Sequence, residues 1–319
     1  MKLDPQAQAI ADQLALLPAL DLDQLSAADY RAAMGAMLAA PPELDPQVET
    51  SALSLACPEV TLPARSYRPP ADGSEHDRPL PLIVYFHGGG FASGGLDTHD
   101  NICRRLAASV RALVVAVDYR LAPEHPFPAP VDDAVAAIGV LHQRAAELGA
   151  DPARIAVAGD SAGANLATVA ARVLRDAGPQ APRIVHQLLF YPVTDAACDT
   201  ASYRDLAEAP ILTSALMQWF WRQYLARPED GNDERASPLR SKDLGKLPAA
   251  TVITAGFDPL RDEGEAYGLA LAAAGNSVTL RRWPGQFHGF ASLLGSMDAA
   301  DEALAFGACQ LRQAFLCKP

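Results

Sequence analysis

The sequence predicts an α/β fold: a mostly parallel sheet with helices on both faces. Three observations carry this expectation. From Leu80 onward, short continuous apolar runs alternate with helical segments. A strand that is apolar throughout is buried on both faces, as parallel strands linked by crossover helices are. Half of the 319 residues are hydrophobic, enough to bury a large core. Glycines gather at strand ends, above all in YFHGGGFASGG (85–95), where five glycines stand among eleven residues. Glycine packs poorly and carries an entropic cost, so bare backbone there must approach something closely or aim its N–H groups.

The elements follow in order. QAQAIADQLALL (6–17) repeats apolar residues at helical spacing, and SAADYRAAMGAMLAA (26–40) begins at a Ser suited to cap a helix. PPELDP (41–46) breaks it. ALSLACPEVTLPARSYRP (52–69) suggests two extended segments, and ADGSEHDRP (71–79) a polar turn. Then come LPLIVYF (80–86, strand), THDNICRRLAASV (98–110, helix), ALVVAVDY (112–119, strand) and PVDDAVAAIGVLHQRAAEL (130–148, helix). RIAVAGD (154–160) and IVHQLLFYP (184–192) read as strands around the helix AGANLATVAARVLRDAG (162–178). AATVITAG (249–256) and SVTLRRW (277–283) read as strands, with helices RDEGEAYGLALAAAG (261–275) and DAADEALAFGACQLRQAFL (298–316). Residues 196–245 break the alternation: the aromatic-dense AEAPILTSALMQWFWRQYL (207–225) suggests an inserted helix, followed by polar loops.

Charge and composition exclude several functions. A net charge of −12 argues against a nucleic-acid or anionic-membrane partner. No apolar stretch reaches the length of a membrane span, and the N-terminus lacks the apolar core of an export signal. Five scattered cysteines, odd in number and without C-x-x-C, suit thiols in a reducing compartment, so a cytoplasmic protein is expected. No G-K-[ST] follows the glycines, and no H-E-x-x-H or Cys/His cluster suggests a metal.

The chemistry begins at VAGDSAGAN (157–165), which contains G-x-S-x-G between a strand and a helix. That context is the nucleophile elbow, a strained turn that lifts Ser161 clear of the sheet. A serine hydroxyl needs a base, and the base needs an acid to orient it. Of seven histidines, His288 in WPGQFHGF follows the last expected strand and stands in the chain order Ser…Asp…His. Asp258, directly after the strand AATVITAG, is the expected acid, with Asp262 as the alternative. An acyl carbonyl attacked by serine becomes an oxyanion, which preorganised N–H donors stabilise. Gly88 and Gly89 of HGGG, with Ala162 after the serine, are the expected donors. His87 and Asp160 read as loop-bracing residues, and the prolines of LAPEHPFPAP (121–130) as stiffening.

HGGGF (87–91), DYRLAPEHPFPAPVDD (118–133), GDSAGAN (159–165), DPLRDEG (258–264) and HGF (288–290) together resemble the hormone-sensitive-lipase family of α/β-hydrolases, in its bacterial GDSAG branch. The resemblance implies the α/β-hydrolase fold and a carboxylesterase that acts on short- to medium-chain acyl esters without a cofactor. It carries over Ser161, Asp258 and His288 as the triad and Gly88, Gly89 and Ala162 as the oxyanion hole. It implies a cap of residues 1–45 and 196–245 over a catalytic domain of 46–195 and 246–319. Met34, Tyr191 and Trp219 are expected to line the pocket. An amidase on the same triad and a non-catalytic small-molecule receptor stay open, as does homo-oligomerisation. One departure is visible: Ala164 stands where the motif usually ends in a second Gly.

Overall fold

The computed structural model describes residues 2–18, 20–37, 44–71 and 78–316. His76, Cys317 and the end of the second expected helix, from Leu38, lie outside the described residues. Two helices open the chain, α1 (Pro5–Leu14) and α2 (Ala27–Met37). Strands β1 (Glu49–Ala56), β2 (Thr61–Arg68) and β3 (Leu80–Phe86) follow, then α3 (Asp100–Val110), β4 (Leu113–Val117) and α4 (Ala129–Gln143). β5 (Ala150–Asp160), α5 (Ala162–Asp176) and β6 (Ile184–Phe190) lead to the short α6 (Ala201–Asp205) and to α7 (Ser214–Tyr224). β7 (Ala249–Phe257), α8 (Arg261–Ala273), β8 (Val278–Phe287) and α9 (Asp298–Leu316) complete the described strands and α-helices.

The strands form one sheet in the order β1-β2-β4-β3-β5-β6-β7-β8. β1–β2 and β2–β4 pair antiparallel, and the rest pair parallel. The two-residue period of a strand sends successive side chains to opposite faces. Leu82, Val84 and Phe86 enter the core shared with Ile138 and Leu141 of α4 and Leu166 of α5, while Ile83 and Tyr85 face Leu106 of α3 and Leu304 and Leu311 of α9. The fully buried strands thus explain the unbroken apolar runs.

Two differences from the sequence reading bear on the site. The inserted helix is shorter than the 207–225 segment: α7 starts only after Thr213, whose side chain accepts a hydrogen bond from Leu216 N–H at 3.0 Å and caps it. The last strand runs past Trp283 through Pro284 and Gly285, residues that normally end a strand. A register shift after Ala255 absorbs them, and pairing resumes as Phe257 opposite Phe287.

Candidate active site

The sheet register assembles the site. β5 ends at Asp160, so Ser161 stands at the turn into α5, and the Phe257–Phe287 pairing makes the next residues, Asp258 and His288, neighbours. Functional groups of open parallel sheets gather at these carboxyl ends. His288 Nδ1 lies 2.8 Å from Asp258 Oδ2, and His288 Nε2 lies 2.9 Å from Ser161 Oγ. A carboxylate only accepts, so Nδ1 carries the proton and Nε2 presents a lone pair to the serine hydroxyl. Asp258 is fully buried, and its Oδ1 accepts from Leu260 N–H at 2.8 Å. Asp262 stands elsewhere: Oδ2 accepts from Ser202 N–H at 2.8 Å and Oδ1 from Arg261 Nε at 2.8 Å.

The elbow needs its glycines for steric reasons. Ser161 sits at φ 54°, ψ −119°, a conformation L-residues rarely adopt. A Cβ at Gly163 would lie 1.9 Å from Phe86 O, and one at Gly159 would lie 2.5 Å from Gly163 backbone. Asn165, fully buried, donates through Nδ2 to Val193 O and Ala236 O, both at 2.9 Å, and ties α5 to the segment that follows β6.

The glycine loop corrects one expectation. Gly88 N–H donates to Asp160 Oδ1 at 2.9 Å and is therefore engaged. A Cβ there would lie 2.2 Å from Asp160 Oδ2, so Gly88 is glycine to admit that carboxylate. Gly88 leaves the candidate donor set. Among the described residues nothing accepts from the N–H of Gly89 or Gly90, nor from that of Ala162 at the start of α5. HGGG alone does not single out Gly90, because only the position of the buried Asp160 carboxylate shows that the first glycine is engaged.

Asp160 is the hub under this loop. Tyr85 Oη donates to its Oδ1 at 2.7 Å, and His99 Nε2 lies 3.2 Å from the same oxygen. Burial pushes the carboxyl up, but the neighbouring His99 and the hydrogen bonds from His99 and Tyr85 outweigh it, and Asp160 titrates below its usual range. His99, which the sequence placed only near a helix start, thus belongs to this hub. His87 stacks on Tyr119 with ring centres 4.3 Å apart, and burial, then the neighbouring His99, lowers it to about 4. It is a neutral brace at ordinary pH.

A cavity of about 660 Å³ opens onto Ser161 and His288. Its walls come from Ile10 and Leu14 of α1, Tyr30, Arg31 and Met34 of α2, and Leu216, Met217 and Phe220 of α7. Met34, one of the residues expected in the pocket, lines this cavity. Tyr191 and Trp219 are not in the lining. Tyr191, at φ 35°, is buried with its ring 4.7 Å from His288, and Trp219 packs against Tyr30 (5.6 Å) and Phe220 (5.2 Å). Successive helix residues point about 100° apart, so Phe220 faces the cavity and Trp219 the packing behind it. Among the described residues, no group of three or more His, Cys, Asp or Glu side chains is placed to hold a metal ion, and no helix is long and apolar enough to cross a membrane.

Comparison with known proteins agrees with this architecture. Residues 83–292 match a family described by the α/β-hydrolase fold. Carboxylesterase NlhH of Mycobacterium tuberculosis (strain H37Rv) is 43% identical over 282 residues, covering 87% of this chain and 86% of that protein. Ethyl acetate hydrolase of Pseudomonas putida is 40% identical over 256 residues, 79% of each chain. The solved structure of a thermostable esterase from Pseudomonas putida ECU1011 superposes with a TM-score of 0.92 at 34% identity, covering 99% of both chains.

Proposed function

The chain belongs to the α/β-hydrolase fold family, in its hormone-sensitive-lipase branch, and we propose that it hydrolyses carboxylic esters through an acyl-enzyme on Ser161. It is a carboxylic ester hydrolase. The observation that carries the mechanism is the line of hydrogen bonds from Ser161 Oγ through His288 to Asp258, at 2.9 and 2.8 Å. His288 Nε2 takes the serine proton as Oγ attacks the acyl carbon, and then gives it to the departing alcohol. Asp258 fixes the imidazole tautomer and stabilises the imidazolium. Water, deprotonated by His288, then attacks the acyl carbon and releases the acid and the free serine.

The N–H groups of Gly89, Gly90 and Ala162 stabilise the tetrahedral oxyanion; each such donor is typically worth about 10²–10³ in rate. Residues 1–45 and 196–245 act as a cap, since α1, α2 and α7 supply the apolar cavity wall. The cavity of about 660 Å³ lies within the range of about 300–1,000 Å³ typical for small-ligand sites. It suits a short- to medium-chain ester and not three long acyl chains. The test is a panel of p-nitrophenyl esters of rising acyl length with matched anilides. Turnover of esters far above anilides supports the reading, and preference for anilides would assign the site to amide cleavage.

A further inference from the structure

The turn from Gly89 to Ala92 carries three successive residues with positive φ: Gly89 at 116°, Gly90 at 59° and Phe91 at 61°. Glycine tolerates this, but Phe91 does so at a cost that its surroundings must hold in place. The holders are close at hand. Phe91 stacks on Tyr224 of α7 with ring centres 3.8 Å apart. Phe220 of α7 lies over Gly90 so closely that a Cβ there would be 2.2 Å from its ring. The far end of the turn is gripped by Arg31 of α2, whose Nε donates to Ala92 O at 2.6 Å. The same guanidinium donates to Ala122 O at 2.7 Å and, through two nitrogens, to the Glu124 carboxylate at 2.8 and 2.7 Å. Ala122 N–H in turn donates to Phe91 O at 2.9 Å. The Arg31 fork therefore closes on the strained turn from two sides.

We propose that Arg31 is a positioning residue for the oxyanion donors, so that the cap helix α2 sets the rate of the chemical step as well as the shape of the pocket. This inference rests on the assignment of Gly89 and Gly90 as donors made above. Ala92 N–H donates back to Gly89 O at 3.1 Å, so a shift of Ala92 is passed to the peptide groups whose N–H face the substrate. The Glu124 arm of the fork is largely exposed, and exposed ion pairs contribute little. What distinguishes Arg31 is its pair of carbonyl bonds, made from two nitrogens held in one plane, where an ammonium offers a single nitrogen.

The experiment uses the full-length chain and compares Arg31→Ala and Arg31→Lys with the parent, well below their melting temperatures. Turnover of p-nitrophenyl butyrate is read beside inhibition by a trifluoromethyl ketone, whose adduct with serine places an oxyanion on the donors. For Arg31→Ala, kcat should fall about 10- to 100-fold, the range for a displaced catalytic group, with KM changing much less. The inhibition constant should rise in proportion to the loss in kcat/KM, and Arg31→Lys should recover part of both. If Arg31→Ala does not fold, the same proportionality is read in Arg31→Lys alone. Unchanged kcat and inhibition in variants with lowered melting temperature would overturn the inference and leave Arg31 as a staple of the N-terminal segment. Ser161→Ala runs in parallel. Parent-like turnover there would remove the serine mechanism itself, whereas an inactive Ser161→Ala beside unaffected Arg31 variants removes the inference alone.

Discussion

Replacing Asp258 by Asn tests the charge arrangement behind the serine, and the magnitude follows from two hydrogen bonds. Asp258 Oδ1 accepts from Leu260 N–H and Oδ2 faces His288 Nδ1, both at 2.8 Å. An Asn side chain has one acceptor and one donor end. If its oxygen keeps Leu260 N–H, its NH₂ meets His288 Nδ1, the ring is driven to the Nε2–H tautomer, and the serine loses its base. If the amide flips, Leu260 N–H loses its acceptor in a fully buried site, at about 1–3 kcal/mol. The imidazolium then also trades a charge-assisted partner for a neutral one, costing about 1–2 kcal/mol more. Together these raise the barrier by about 2–5 kcal/mol, or a loss of about 30-fold to about 5 × 10³-fold in kcat at 1.36 kcal/mol per tenfold. The upper end approaches the loss of about 10⁴ known for the same change in the serine-protease triad. Asp262→Asn, which touches only Ser202 and Arg261 in the described hydrogen bonds, should cost less than about tenfold. The assay is steady-state hydrolysis of p-nitrophenyl butyrate by variants with parent-like circular dichroism. A small loss for Asp258→Asn with a large one for Asp262→Asn would refute the reasoning.

Other consequences can be checked alongside. In the ester series, kcat/KM should rise with short acyl chains, at about 0.8 kcal/mol per buried CH₂, then fall once the cavity is full. Phe220→Ala should move that maximum to longer chains; a monotonic rise to long-chain esters in the parent would show that the cavity wall does not limit size. Gly163→Ala, whose methyl would collide with Phe86 O, should abolish turnover by forcing the elbow open, which a crystal structure of the variant would reveal. Burial raises the Glu263 carboxyl to about 8, against 4.5 for a free one. The folded chain thus keeps a proton that the unfolded chain loses above pH 4.5, and stability falls as pH rises from there through about 8. Glu263→Gln should remove that fall, so its denaturation midpoint relative to the parent should improve between pH 5 and pH 9; parallel pH curves would contradict the burial argument.

The elbow and the alternation of buried strands with helices were legible because they rest on hard constraints. Unbroken apolar runs need two covered faces, and Gly159 and Gly163 are set by backbone atoms less than 3 Å from where a Cβ would be. His288 could be picked out by its place after a strand and its order in the chain. What could not be read depends on orientation. Nothing in QWFWRQ gives the rotation of α7, so Trp219, the larger aromatic, was expected in the cavity where Phe220 stands. Tyr191 follows a strand end, but its positive φ turns it to pack beside His288 rather than into the cavity. Gly88 and Gly90 look alike in HGGG; only the position of the Asp160 carboxylate decides which N–H is engaged. Arg31 gave no signal at all, since an Arg on an amphipathic helix reads as a solvated residue until the carbonyls of Ala92 and Ala122 are found beside it.

The central claim, that Ser161 carries the acyl group, is tested most directly by mass spectrometry of the protein quenched during turnover of a slow ester and after reaction with a p-nitrophenyl phosphonate. The account predicts one adduct per chain, located on the peptide that contains Ser161, with hydrolysis lost in step with phosphonylation and neither adduct in Ser161→Ala. An adduct on another residue, or hydrolysis that persists in fully phosphonylated protein or in Ser161→Ala, would contradict it.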